Sequence, residues 1–174
     1  RRSSDLKKMA NYAYQDLGLR EVAVLRHTDE FSELISNVFE QQFKELGGTI
    51  VLSEKRAVTE QDYRTFLSKV KNSEAEAIYF PLIPPANARF LTQAQQLGVK
   101  KVLLGADALL PDEIKEAGSA AEGVYYTNIF SQQPERITEE YKKKYNTDPM
   151  DPSFVAFGYD SMLVLDQAVK TSRE

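Results

Sequence analysis

Carboxylates in two predicted loops are the side chains of this chain best placed to do chemistry. Asp107 follows a short predicted strand and has small and apolar neighbours, and Asp29 with Glu30 follows another strand. A carboxylate held among apolar groups can bind an ammonium group, and paired acids can bind a hard cation. Both observations also have simpler interpretations. Asp107 would then cap a solvated turn, and the acid pair would stabilise the positive N-terminus of a helix.

Several other chemistries are not supported by the sequence. There are no cysteines and His27 is the single histidine, which argues against metal sites and a His-based triad. The first strand exits into residues 26–30 without a glycine, so a phosphate cradle is not expected there. No Gly-flanked serine elbow is present, and the net charge of −4 argues against a nucleic-acid partner. We therefore predict no catalysis, no cofactor, no metal and no nucleic acid.

Strands and helices alternate along the first three quarters of the chain. Apolar runs predict strands at residues 21–25, 49–53, 77–82, 102–104 and 123–128, and amphipathic stretches predict helices between them. A sequence resembling a capping box at residues 59–62 predicts the start of one of those helices. This alternation with short connections predicts an α/β fold, a flavodoxin-like three-layer (αβα) parallel sheet in the order 2-1-3-4-5.

The alternation stops after Asn128, and a different segment follows. Residues 131–134 are polar and linker-like, a charged helix is predicted at 134–145, and a last helix begins near Pro152. Apolar residues cover more than one stripe of that last helix, which predicts burial on more than one side. We therefore divide the chain into a ligand-binding lobe at 1–130 and a helical segment at 131–174. The helical segment is expected to pack on a missing part of the protein or on a partner chain.

The loops at the carboxyl ends of the predicted strands are apolar and aromatic. Phe31 follows strand 1, Ile83 follows strand 3 between prolines, and Asp107 follows strand 4. Ligands bind at this edge of open α/β sheets, so the three residues predict a mostly apolar wall with one fixed charge. Such a wall suits small-molecule binding better than a reaction. The alternative is that Phe31 packs within its own helix and Ile83 only covers the core.

An ordered series of segments resembles a known family. The segments are Gly47-Gly48, Asp62-Tyr63-Arg64-Thr65-Phe66-Leu67, Glu76-Ala77-Ile78-Tyr79-Phe80, Ala94-Gln95-Gln96-Leu97-Gly98-Val99, Leu104-Gly105-Ala106-Asp107 and Ala121-Glu122-Gly123-Val124. The series resembles the second (C-terminal) lobe of type I periplasmic binding proteins, in the branch of branched-chain amino-acid-binding receptors of ABC transporters. The resemblance extends over nearly the whole chain, and Phe157-Gly158-Tyr159-Asp160 resembles the segment that returns to the first lobe.

The resemblance implies a role for each residue of the wall. By position, Phe31 would be the aromatic contact, Ile83 the contact after strand 3, and Asp107 the partner of a ligand ammonium group. The family's Tyr-Gly pair is Phe31-Ser32 here, and its polar or aromatic position after strand 3 is Ile83. Both departures make the wall more apolar, which favours a larger apolar or aromatic ligand over a plain branched-chain amino acid. The family's first lobe and its third crossover have no counterpart in this sequence.

Two functions from different classes follow from the resemblance. The first is an extracytoplasmic solute-binding receptor that delivers a small amino-acid-like or apolar organic ligand to the membrane permease of an ABC transporter. The second is a sensory or protein-interaction module that reuses the same fold. The resemblance implies a periplasmic or extracellular location, with a lipid anchor as an open alternative. The last helix also predicts a homo-oligomer as one way to cover its apolar surface.

Overall fold

The fold was analysed on a computed structural model, which describes residues 7–128, 134–149 and 152–172. The chain divides into two compact units, Arg1–Asn128 and Ile129–Glu174. The predicted boundary at residue 130 lies close to this division. Most of the predicted linker at 131–134 lies outside the described residues. The functions assigned to the two segments stay predictions.

The first unit is a five-stranded parallel sheet in the order β2-β1-β3-β4-β5, as predicted. A short helix α1 (Lys8–Asn11) continues into a π-helical turn (Tyr12–Asp16) before the first strand. The remaining elements are β1 (Glu21–His27), α2 (Glu30–Glu45), β2 (Thr49–Arg56), α3 (Arg64–Lys71), β3 (Ala77–Phe80), α4 (Ala86–Gln96), β4 (Val102–Gly105), α5 (Pro111–Ala117) and β5 (Tyr125–Tyr126).

Two apolar cores lie on opposite faces of the sheet. Side chains alternate along β1, so Val22 and Val24 pack with α1 and α2, whereas Ala23 and Leu25 face α3, α4 and α5. Stacked aromatic rings fill both cores, with Phe39 against Tyr79 at 4.0 Å and Phe80 against Phe90 at 4.6 Å between centroids. Helices thus cover both faces, which gives the predicted three-layer αβα arrangement.

Several predicted boundaries were wrong. β1 extends to His27 and β2 to Arg56, whereas β3 already ends at Phe80. β5 has only two residues, shorter than the predicted 123–128. The apparent capping box at 59–62 does not cap a helix, because α3 begins at Arg64 and Tyr63 is its N-cap residue. Strand ends depend on contacts with neighbouring strands and loops, which the local pattern does not contain.

The second unit contains the two predicted helices, α6 (Pro134–Tyr145) and α7 (Pro152–Thr171). Ile137 and Ala156 are buried, and the Arg136 guanidinium lies 5.3 Å from the centre of the Tyr159 ring. Several large apolar side chains of α7 are exposed within this chain, namely Phe154, Met162, Leu163, Val164, Leu165 and Val169. Their packing on a missing part of the protein or on a partner chain stays a prediction. Within the described residues, no helix has the length and apolar character needed to cross a bilayer.

Candidate functional site

The loops that follow β1, β3 and β4 lie side by side at one edge of the sheet. The three strands are parallel neighbours in the sheet, so their carboxyl ends are adjacent. Phe31 lies in the first turn of α2, Ile83 between β3 and α4, and Asp107 between β4 and α5. Each of the three residues is half-buried, so part of each remains accessible. The structure therefore places the predicted residues just after the carboxyl ends of three neighbouring strands, at the edge where α/β sheets bind ligands.

The loop after β1 presents Phe31 through a capped helix start. Asp29 Oδ1 accepts a hydrogen bond from the N–H of Ser32 at 2.9 Å, which caps α2 and explains the acid pair without a cation. Among the described residues, no three metal-ligating side chains form a group. Phe31 packs against the core cluster that contains Ala106, the residue before Asp107. The loops of Phe31 and Asp107 therefore border the same cluster.

Asp107 brings a negative charge close to the buried phenol of Tyr79. Burial raises the pKa of the Tyr79 hydroxyl well above its usual value, and the charge of Asp107 raises it further. Tyr79 is therefore neutral at physiological pH. The wall thus combines one carboxylate with a protonated phenol beneath it.

The loop after β3 holds Ile83 by its backbone. The N–H of Ile83 donates to His27 Nδ1 at 3.4 Å, and its carbonyl accepts from the N–H of Ala86 at 3.2 Å. Pro84 and Pro85, which follow, are exposed and joined by a cis peptide bond. Because the polar groups of Ile83 are already engaged, it offers the wall only its apolar side chain.

A buried side-chain pair connects the loops after β3 and β4. Asn87, at the start of α4, donates its Nδ2–H to Leu82 O at 3.4 Å and to Ala108 O at 3.2 Å. The Glu113 carboxylate of α5 accepts from the Asn87 N–H and from Asn87 Nδ2, each at 2.9 Å. Glu113 also accepts from the N–H of Leu110 at 3.5 Å. This pair ties the residue before Ile83 to the residue after Asp107.

Two open hollows in the first unit lie away from this wall. One, of about 520 Å³, lies along α3 and is lined by Arg64, Thr65, Ser68, Lys69 and Asn72. The other, of about 380 Å³, lies between α1 and β5 and is lined by Lys8, Met9, Tyr12, Tyr125, Tyr126 and Thr127. Neither is lined by Phe31, Ile83 or Asp107.

Sequence reasoning missed the polar residues behind the wall. His27 was expected in a loop, yet it is the fully buried last residue of β1, and Asn87 and Glu113 were not singled out. Ser32 Oγ and Asp29 Oδ2 are also buried, and they have no hydrogen-bond partner within the described chain. The signal in the sequence was a polar side chain close to a loop that follows a strand. The partners that make such a residue stable in the core are distant in sequence, so local patterns did not show its role.

A family model matches the chain over almost its whole length. The family model described as "Periplasmic binding protein" matches residues 2–174. The chain therefore belongs to the periplasmic binding protein family.

Individual relatives agree with this assignment. The leucine-, isoleucine-, valine-, threonine- and alanine-binding protein of Pseudomonas aeruginosa is 26% identical over 89% of this chain and 42% of its own length. The structure of the leucine binding protein LivK from Thermotoga maritima superposes with a TM-score of 0.83 at 30% identity, covering 97% of this chain and 50% of that one.

A second structure shows the fold alone. The branched-chain amino acid transporter substrate-binding protein LivJ of Streptococcus pneumoniae, in complex with isoleucine, gives a TM-score of 0.74 at 24% identity, covering 90% of this chain and 46% of that one. The chain thus spans about half the length of the relatives that it matches.

Proposed function

We propose that this chain is the second lobe of an extracytoplasmic solute-binding receptor of an ABC transporter. It binds a small amino-acid-like or apolar organic ligand and catalyses no reaction. The observation that supports this most strongly is the placement of Phe31, Ile83 and Asp107, all half-buried, just after the carboxyl ends of three neighbouring strands. They lie at the edge of the sheet where α/β folds bind ligands.

Each residue of the wall has a distinct role in this proposal. The Asp107 carboxylate binds the ammonium group of the ligand, because a charge-assisted hydrogen bond in a site closed to water is strong. Phe31 and Ile83 contact the apolar body of the ligand. Because neither of these side chains carries a hydroxyl or amide, the wall selects by shape and apolar contact, and it accommodates larger apolar or aromatic side chains than that of valine.

A first lobe supplies the other half of the cleft in this proposal. The relatives are about twice as long as the matched region, which leaves room for such a lobe in proteins of this kind. The exposed apolar side chains of α7 are the surface that packs on it, and closure of the two lobes is a hinge motion around the ligand. The receptor acts outside the cytoplasm and hands its ligand to a membrane permease.

Calorimetric titration of the full-length protein tests this function. L-leucine, L-phenylalanine and benzoate are the probes, and Phe31→Ala with Ile83→Ala is the double variant of the wall. Binding of at least one amino acid, weakened in the double variant, is the expected result. Ser68→Ala, which changes the hollow along α3, serves as the control because Ser68 is exposed and none of Phe31, Ile83 and Asp107 lines that hollow. If no probe binds, or if the double variant binds as the wild type does, the proposal is wrong.

A sensory or protein-interaction module is the second candidate, and the exposed apolar side chains of α7 favour it. A binding partner could cover Met162 and Val164, which are 64% and 69% exposed. The two candidates differ in whether small molecules bind to the wall and in whether α7 binds a protein partner. If Val164→Glu abolishes binding of a protein partner while small molecules never bind to the wall, the interaction function is correct.

A further inference from the structure

His27 occupies a fully buried position between two of the ligand loops. It is 0% exposed and ends β1, two residues before the cap of α2. On one side, its Nε2 lies 3.1 Å from the Tyr63 hydroxyl. On the other side, its Nδ1 lies 3.4 Å from the backbone nitrogen of Ile83. The ring therefore joins the segment before α3 to the loop that carries Ile83.

The hydrogen bonds around His27 define one tautomer. The Tyr63 hydroxyl has a single proton, and it donates that proton to the Glu60 carbonyl at 2.9 Å. The bond between His27 and Tyr63 must then be donated by Nε2–H of the imidazole. This leaves a lone pair on Nδ1, which accepts from the N–H of Ile83. The three hydrogen bonds that link Glu60, Tyr63, His27 and Ile83 can all form only when the imidazole is neutral.

The surroundings keep the ring neutral at physiological pH. Burial lowers the pKa of His27, and the carboxylates of Asp29 and Glu60 oppose this effect without overcoming it. Arg56, the strand partner of His27 on β2, forms an ion pair with Glu60 at 3.1 Å. The loop after β3 contributes no charge, since residues 81–85 are Pro, Leu, Ile, Pro and Pro. Burial also raises the pKa of Tyr63 to about 12, so its hydroxyl stays a donor.

We propose that His27 is a positioning residue of the ligand wall, which holds Ile83 in place through a hydrogen bond that only the neutral imidazole can accept. The proposal rests on the proposed function, in which Ile83 contacts the ligand. A protonated ring would present Nδ1–H to the N–H of Ile83, and two donors repel each other. The loop after β3 then moves away from its binding position. Ligand affinity therefore falls when His27 takes up a proton.

Two substitutions separate the two hydrogen bonds of the ring. His27→Asn places an amide oxygen close to the position of Nδ1, so it still accepts from Ile83 and does not titrate, but it loses Tyr63. His27→Gln extends to the position of Nε2, so it still contacts Tyr63 but leaves the N–H of Ile83 without an acceptor. Both are neutral polar side chains of related size. They form a matched pair in which each variant keeps one of the two hydrogen bonds, so weaker binding by His27→Gln than by His27→Asn would assign the effect to the contact with Ile83.

The first measurement uses nitrogen-15 NMR of the 174-residue chain without any ligand. The expected ring spectrum at about pH 7.5 is that of the Nε2–H tautomer. As the pH falls, the Ile83 amide resonance is expected to shift with the same midpoint as the His27 ring. The proposal is overturned if the ring is the Nδ1–H tautomer, or if the Ile83 amide resonance does not shift as the ring titrates. This measurement needs no variant and no ligand, so it decides whether His27 controls the loop even if both variants fail to fold.

The second measurement is the affinity of the full-length protein for L-leucine. His27→Gln is expected to bind it about tenfold more weakly than His27→Asn at about pH 7.5, equivalent to about 1.4 kcal/mol. Only the wild type is expected to lose further affinity as the pH falls to about 5, because neither variant titrates there. Equal affinities of the two variants overturn the proposal. If the wild type itself does not bind L-leucine while the Ile83 amide follows the ring, the error lies in the assigned ligand and not in the role of His27.

Discussion

Asn87 Nδ2 and Glu113 Oε2 are hydrogen-bonded at 2.9 Å inside the core, between helices that follow different strands. Both residues are buried, at 1% and 5% exposure, so the contact is shielded from water. Because Asn87 also binds the carbonyls of Leu82 and Ala108, the pair fixes the spacing of the two loops that carry Ile83 and Asp107. The candidate site is therefore positioned by residues that would not contact a ligand.

Glu113→Gln is expected to destabilise the protein by about 1–3 kcal/mol. The change keeps the shape of the side chain but replaces one acceptor oxygen with an NH₂ group that faces the donors of Asn87 or Leu110. Urea denaturation measures the effect. Glu116→Gln on the same helix is the control, because Glu116 is exposed and its change should stay within about 0.5 kcal/mol. Equal losses in the two variants would contradict the role of the buried pair.

Asp107→Ala in the full-length protein is expected to weaken L-leucine binding by about 2–5 kcal/mol, because the ammonium group is then buried without its partner. Asp107→Asn should also weaken binding, since it keeps the shape but loses the charge. The affinity for 4-methylpentanoate, which is leucine without the amine, should fall far less in these variants. Calorimetry of both ligands tests this, with Asp112→Asn as the control because Asp112 is exposed on α5. Unchanged leucine affinity in Asp107→Ala would remove Asp107 from the site.

The free energy of unfolding is expected to depend on the protonation of His27. Its pKa in the folded state is lowered by burial from the ordinary value of 6.5. Below that ordinary value the unfolded chain binds a proton that the folded chain does not, so stability falls as the pH falls, until the folded pKa is passed. His27→Asn, which cannot titrate, should show a smaller loss between about pH 7.5 and 5. Urea denaturation at several pH values measures both curves, and parallel curves would rule out this linkage.

α7 is expected to drive self-association when no partner covers it. Val164 and Leu165 are 69% and 58% exposed, and apolar patches of this kind usually mark interfaces. Light scattering of the 174-residue chain should show an average mass that rises with concentration, and Val164→Glu should reduce it. Gln167→Glu adds the same charge at an exposed polar position of the same helix and should have little effect. A monomer at all concentrations would contradict the prediction.

The alternation of strands and helices was predictable from local patterns, and the order 2-1-3-4-5 followed from the fold class that this alternation indicates. The end of β1 was not predictable, because His27 and the polar residues after it indicated a loop. His27 belongs to the strand because its ring is satisfied by Tyr63 and Ile83, which lie 36 and 56 positions away in sequence. Local periodicity contains no information on such contacts.

The same limit applies to the residues behind the wall. The positions of Phe31, Ile83 and Asp107 follow from a rule about strand ends, so their placement on adjacent loops could be predicted. The pairing of Asn87 with Glu113 joins positions 26 apart, and it depends on how α4 and α5 pack. Glu60, predicted to belong to a capping box, instead forms an ion pair with Arg56 of β2. Asn87 and Glu113 thus acquire their role from a long-range contact that the local sequence around each of them does not indicate.

The order β2-β1-β3-β4-β5 has a consequence for how the protein folds during synthesis. The ribosome synthesises β1 and β2 before the other strands, and these two strands pair directly with each other, connected by α2. β3 then adds to the open side of β1, β4 to β3, and β5 to β4, so each new strand meets an edge that is already formed. No strand has to be inserted between two others. The sheet can therefore assemble in the order of the chain, because each strand adds to an open edge.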